Sequence, residues 1–427
     1  DGSMSEVTAL LLDLFVIFVA AKLAAELFER IRQPPVIGEL LAGMLIGPYA
    51  LGLIGTPDEG LVRAFHGDAA AAQEAVDLVY HLVAELGVVV LLFFVGLETR
   101  VADILKVGRR AGAVAVLGVV VPFVLGFMLM GPVLGRSQLE ATFVGAALVA
   151  TSVGITARVL RDLGVIASKE SRIILGAAVL DDILAMIVLA IVAGLATAGT
   201  VRLLDVATIA LQAVLFTAFV AFVGTGAMRR YGLHLDRLKM DGAPFAVALA
   251  AMLGLAALAG MIGLAAIIGA FLAGMVFAEA REHFELEQQA LPIYRFLVPF
   301  FFVITGSQVD WRLFIAPGLI TLALSVTLLA LLTKIIGCGL GMLGAPWRNV
   351  AIVGIGMAPR GEVGLIVASL GLSLGAIPQD LFNVVVVMSI LTTLSVPPAL
   401  RLLYAGQPET ALSPEDLADQ AGRLPDM

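Results

Sequence analysis

Charge is what this chain has little of. Lys, Arg, Asp and Glu together supply 14% of its residues, against about 25% in soluble domains. With 60% hydrophobic residues and a mean hydropathy of +1.04, that shortage excludes an ordinary soluble domain. Cysteine is nearly absent too. The lone Cys338 lies in an apolar run, which excludes an internal disulfide framework and reads as a small core residue. Histidine is scarce: His66, His81, His234 and His283 fall in loops or at helix ends. They form no metal-ligand cluster and leave no membrane histidine for a rhomboid-like serine protease. The net charge of −8 says little about partners when most of the surface faces lipid, and nucleic acid is not among those expected.

What the chain has in abundance is apolar runs of spanning length. Run length and flanking charge predict about 13 transmembrane helices. They fall near 6–27, 35–53, 80–98, 111–134, 139–163, 170–196, 203–227, 243–259, 261–279, 290–308, 316–340, 349–372 and 380–404. The fold class expected is therefore an all-α polytopic membrane protein. Residues 1–5 read as an expression scar (Asp1-Gly2-Ser3 before Met4) and the N-terminus, 6–404 as the membrane domain, and 405–427 as a cytoplasmic tail. The first run is too long for a signal peptide. Segment 56–79 is polar enough for an extramembrane loop or surface helix. Within the tail, "SPEDLADQAGRL" (413–424) reads as a short capped helix.

Lys and Arg set the expected orientation. With the N-terminus outside and the C-terminus in the cytoplasm, 19 of the 26 lie on the inner side and 4 on the outer. Lys22, Lys334 and Arg360 remain within spans. Such a bias predicts N-out/C-in in an inner (plasma) membrane.

The chain repeats itself. "IGELLAGMLIG" (37–47) resembles "IGAFLAGMVFA" (268–278) at an offset of 231, and "FFVGLETRV" (93–101) resembles "FFFVITGSQVD" (300–310) at 210. "VGI" (153–155) matches "VGL" (363–365), again at 210. The change of offset falls across the extra segment 56–79. One span separates the halves, so the second copy inserts upside down, a transporter signature. The fifth span, "ALVATSVGITARVL", and the twelfth, "IVGIGMAPRGEVGLIV", carry helix-weakening residues at matching positions: Thr151, Ser152 and Gly154 in one, Pro359 and Gly361 in the other. Broken helices supply free carbonyls for a cation.

The charges inside the membrane carry the chemistry. "VLDDIL" puts Asp181 and Asp182 near mid-bilayer, where an aspartate costs roughly 2.5–3.5 kcal/mol. Nothing in the flanking apolar helix requires them. Adjacent helical residues point about 100° apart, so one carboxylate can face a cavity and the other a neighbouring helix. Buried anions need cations. The simplest pairing sets Asp181 against Lys334 and Glu362 against Arg360, leaving Asp182 for a transported ion. Lys22 reads as a snorkelling lysine near Glu26, and Glu39 and Glu85 as membrane-embedded carboxylates whose role stays open.

Taken together, "ATSVGITARVL", "VLDDIL", the lysine of the eleventh span and "GMAPRGEVGLI" resemble the bacterial electrogenic sodium/proton antiporters of the cation/proton antiporter superfamily. The resemblance covers residues 6–404. It implies a 13-helix homodimer with two crossed broken helices and dimerisation helices beside a core that includes 80–196 and 290–372. The core would move in an elevator-like cycle, exchanging cytoplasmic Na+ or Li+ for external H+. By this resemblance Asp182 is the ion ligand, Asp181 pairs with Lys334, and Thr151 and Ser152 lie by the ion. Arg360, Glu362, Pro359 and Gly361 support the break. No cofactor is implied; the partners are Na+, H+, membrane lipids and a second copy. A potassium/proton antiporter of the same superfamily is the alternative. Its glutathione-gated members end in a nucleotide-binding domain, and no G-x-G-x-x-G follows the last span here. An intramembrane aspartyl protease would need its aspartates on different helices, one in G-x-G-D, a motif the sequence lacks. An ion channel fits the composition but not the inverted repeat.

Overall fold

The structure is a computed structural model, and it describes residues 6–31, 33, 35–57, 59–198, 203–232, 240, 242–280, 284–310, 312 and 318–405. The tail segment 413–424 lies outside them. Each predicted apolar run in this range is helical over most of its described length. In chain order the helices are α1 (Glu6–Arg30), α2 (Pro35–Ile46), α3 (Glu59–Ala64), α4 (Ala69–Leu97), α5 (Val101–Met128), α6 (Gln138–Ala147), α7 (Val153–Asp162) and α8 (Lys169–Ala198). Next comes α9 (Leu203–Ala218), which runs through a π-helical segment into α10 (Thr225–Tyr231). The remainder are α11 (Ala243–Met261), α12 (Ala266–Ala278), α13 (Leu286–Ser307), α14 (Leu319–Gly341), α15 (Trp347–Gly356), α16 (Glu362–Ser373) and α17 (Gln379–Tyr404). Eight described helices are long and apolar enough to cross a membrane; α2 and α12 are apolar but shorter. No strand occurs among the described residues.

Segment 56–79 holds the short surface helix α3 and the start of α4, which begins well before the apolar run at 80. Asp68 fixes that start by accepting the Ala70 and Ala71 amides at 3.0 and 3.1 Å, filling two of the helix's orphan donors. A capping box between Ser137 and Glu140 starts α6 in the same way.

The helices pack as two groups. In one, α2, α4, α11, α12 and α13 pack on one another, with α1 against α2 and α13. In the other, α5, α6, α8 and α14–α17 pack together, and α7 reaches across to α4 and α2. Here the structure departs from the boundaries drawn in sequence. Spans 80–98 and 290–308 were expected with the core, yet α4 and α13 pack chiefly with α12 and α2. The reason is glycine. A Cβ on Gly43 (α2) would strike the Val303 carbonyl of α13, and one on Gly306 (α13) the Leu40 carbonyl of α2. A Cβ on Gly96 (α4) would strike the Phe271 carbonyl of α12, and one on Gly274 (α12) the Phe93 carbonyl of α4. Membrane helices lack a hydrophobic driving force between them, so close approach at small residues is a main source of cohesion. Gly43 and Gly274 are repeat mates, as are Gly96 and Gly306. Each copy's first glycine therefore docks on the helix bearing the other copy's second, as an internal two-fold axis requires.

Lys22 does more than reach for the surface: its ammonium donates to the Arg295 carbonyl at 3.0 Å and lies 5.2 Å from the Phe18 ring centroid, tying α1 to α13. Cys338 is fully buried.

Candidate ion site at the helix crossing

The two interrupted spans meet where they break. α6 stops at Ala147 and α7 starts at Val153; α15 stops at Gly356 and α16 starts at Glu362. The connecting segments cross in contact, with the Ser152 amide donating to the Pro359 carbonyl at 2.9 Å. Thr151 Oγ1 donates to the Met357 carbonyl at 3.1 Å, and Thr156 Oγ1 to the Gly356 carbonyl at 2.6 Å. A Cβ on Gly361 would stand 2.5 Å from Ser152 Oγ. The crossing therefore admits only glycine at 361 while Ser152 keeps its place.

Breaking a helix leaves carbonyls without amide partners and a partial negative charge at each C-terminal end. Two buried cations answer this. Lys334, on α14, donates to the Val149 carbonyl at 2.7 Å and to the Gly118 carbonyl of α5 at 2.8 Å. It also meets the Asp181 carboxylate, at 2.9 and 3.2 Å from its two oxygens. Neither side chain of that pair has any solvent exposure. An ammonium has three N–H donors, and this surrounding offers an acceptor from each of three elements. Arg360 is also fully buried. Its guanidinium donates to the carbonyls of Ala150 (3.2 Å), Met357 (3.5 Å) and Ala330 (3.3 Å). Its backbone is held from α17, by Thr392 Oγ1 on its amide and Thr393 Oγ1 on its carbonyl.

The partner expected for Arg360 was Glu362. Glu362 opens α16, and its side chain lies outside the described residues. Sequence reasoning missed Gly118, Val149, Ala150 and Ala330. Their contribution is a backbone oxygen, which leaves no mark in residue type.

Asp182, the residue after Asp181 on α8, is 4% exposed and lines a small cavity with Leu92 of α4, Val153 of α7, and Ile267, Ile268 and Phe271 of α12. That cavity sits between the two helix groups, immediately beside the break. A larger cavity, of about 550 Å³, lies between the same groups and opens where α2 and α13 end and α17 begins. Tyr49, Gln308, Asp310 and Asn383 line its mouth, and Arg360 and Gly361 its floor. We call this side the cavity face. At the opposite face the groups are sealed by charge. Arg158 of α7 lies 3.5 Å from Glu39 of α2 and 2.8 Å from Asp162. Arg161 lies 3.6 Å from Glu98 and packs its guanidinium 4.1 Å from the Tyr294 ring centroid. Glu39, whose role the sequence left open, is thus a pairing residue. No group of three or more His, Cys, Asp and Glu fit to hold a metal occurs among the described residues.

Comparison with known proteins agrees with this architecture. The family described as "Sodium/hydrogen exchanger, transmembrane" matches residues 15–402. The high-affinity Na+/H+ antiporter NhaS3 of Synechocystis is 37% identical, over 93% of this chain and 90% of that protein. The Na+/H+-K+ antiporter GerN of Bacillus cereus is 36% identical, over 92% and 95%. The solved structure of the sodium proton antiporter MjNhaP1 from Methanocaldococcus jannaschii superposes with a TM-score of 0.65, over 94% of this chain and 98% of that one, at 17% identity. At that identity the likeness concerns the fold.

Proposed function

The chain belongs to the sodium/hydrogen exchanger family, and from that premise we propose that it is a secondary active antiporter exchanging cytoplasmic Na+ for external H+. The observation that carries the reading is the buried carboxylate of Asp182, which lines a small cavity between two helix groups beside the crossing of the two broken spans. A carboxylate serves a monovalent cation as ligand and a proton as carrier, so the two compete for one site. Thr151 and Ser152 would add oxygen ligands from the crossing.

The cycle we propose is elevator-like. The group containing α5–α8 and α14–α17 moves against the group of α1, α2, α4 and α11–α13, which would form the homodimer. The site thereby reaches each side in turn. The small cross-group contact, concentrated on α7, supports this division. The bias of Lys and Arg supports an orientation in which the cavity face would lie outside and both the sealed face and the C-terminus in the cytoplasm. Transport is electrogenic in this reading, two protons entering for each cation leaving. Li+ would share the site with Na+. GerN, named for both Na+ and K+, keeps a potassium/proton exchanger as the second reading. Purified protein in proteoliposomes, given each alkali cation under an imposed pH gradient, tests the proposal. Proton efflux with Na+ and little with K+ is expected; no cation-dependent proton movement would overturn it.

A further inference from the structure

The two faces of this molecule are closed by different chemistry. An inverted repeat lets one chain adopt two related states, in which equivalent surfaces close opposite sides. In the state described here the cavity face is open and the opposite face is shut, with the Arg158–Glu39 and Arg161–Glu98 pairs and Tyr294 between α7 on one side and α2, α4 and α13 on the other. Glu39 is 1% exposed, and its second carboxylate oxygen has no hydrogen-bond partner among the described residues. Arg158 is its ion-pair partner.

The repeat offsets identify what would close the cavity face in the other state. At 231, Glu39 falls on Ala270; at 210, Arg158 falls on Ala368 and Arg161 on Gly371. Asp162, Glu98 and Tyr294 correspond to Leu372, Gln308 and Ala84. None of these mates is charged. Ala270 and Ala368 are buried, at 0% and 1% exposure. The repeat that preserves the glycines and the breaks thus omits the ion pairs from the second copy. An interaction present in one state and impossible in the other shifts the equilibrium by its full differential worth.

We propose that Glu39 and Arg158 form a one-sided latch. It closes the face opposite the cavity, has no counterpart on the cavity face, and biases the resting protein toward the state open at the cavity. This rests on the alternating-access reading above, with Glu39 and Arg158 as positioning residues that touch no transported ion.

The test reads conformation, not transport. Asn383→Cys sets a thiol in the cavity wall, and the native Cys338 is fully buried. A membrane-impermeant maleimide applied from the cavity face should label Asn383→Cys readily. Adding Glu39→Gln should slow labelling about threefold or more, as the population leaves the open state. Arg158→Gln alone would strand the buried Glu39, whereas Glu39→Gln leaves Arg158 on Asp162; Glu39→Gln with Arg158→Gln removes the whole cross-group pair and is the decisive variant, and it should slow labelling likewise. An unchanged labelling rate in the double variant overturns the latch. So does its loss from the membrane as misfolded protein, because a pair confined to one state of a cycle is dispensable for folding. Separately, unsubstituted protein that moves no protons under a sodium gradient would overturn the antiport reading, while the labelling difference would still report a conformational bias.

Discussion

The amide of Ser152 and the carbonyl of Pro359 are 2.9 Å apart, although 206 residues separate the two in sequence. That bond, with those of Thr151 and Thr156, pins the two broken spans at their crossing, and Gly361 is the residue that lets them come so close. A methyl group on Gly361 would stand 2.5 Å from Ser152 Oγ. Gly361→Ala should therefore displace Ser152 or the segment bearing it. Overpacking of this kind costs about 1–3 kcal/mol. Thermal unfolding in detergent should show the loss, and exchange should fall more than stability does, since the displaced atoms border the ion site. Exchange equal to the unsubstituted protein would show that the crossing tolerates the side chain.

Asp182→Asn should fold, assemble and fail to exchange. The amide keeps the volume of the carboxylate but binds neither a proton nor a cation by charge. Size-exclusion chromatography should be unchanged while sodium-driven proton movement in proteoliposomes disappears. Substantial exchange by this variant would remove Asp182 from the mechanism.

Much of this arrangement is legible in the sequence because it is written in residue types that membranes tolerate poorly. Aspartates in an apolar helix, a lone lysine, and Pro and Gly at matched repeat positions all stand out against an apolar background. What stays hidden is backbone. Lys334 and Arg360 find carbonyls at Gly118, Val149, Ala150 and Ala330, and any residue supplies a carbonyl. Glu39 and Arg158 were hidden for another reason. Each reads separately as an embedded acid and a basic residue near an inner helix end, and only the packing of α7 on α2 joins them. The grouping of α4 and α13 with α2 and α12 depends on glycines whose partners are also backbone atoms.

Those glycines give a prediction with an internal control. A Cβ on Gly43 meets the Val303 carbonyl, whereas one on Gly112, in α5, meets nothing within 4 Å. Gly43→Val should lower the unfolding temperature by several degrees, as expected for the loss of about 1–3 kcal/mol through overpacking. Gly112→Val should leave it nearly unchanged. Equal effects would mean that helix propensity, not the close approach of α2 to α13, governs these sites.

Charge movement is the sharpest test of how the buried cations work. Two assignments give the same net transfer. In one, the proton-loaded site is neutral Asp182 beside an Asp181–Lys334 ion pair; cation binding engages both carboxylates, and Lys334 gives up its proton. In the other, both aspartates are protonated beside a charged lysine that stays charged throughout. In either case the two loaded states differ by one charge, so a membrane potential drives exchange by about 2.3 kcal/mol per 100 mV. The three acceptors around the Lys334 ammonium, Asp181 and the carbonyls of Gly118 and Val149, fit a charged lysine in the state seen here, which both assignments require when protons are bound. They part company on Lys334→Gln. A glutamine removes a proton carrier in the first and only a structural partner in the second. Current on a solid-supported membrane after a sodium jump at symmetric pH should be present for the unmodified protein; exchange without current there would defeat the electrogenic reading. For Lys334→Gln we expect exchange with the current abolished, which makes the lysine the second carrier. A normal current in that variant would place both protons on Asp181 and Asp182.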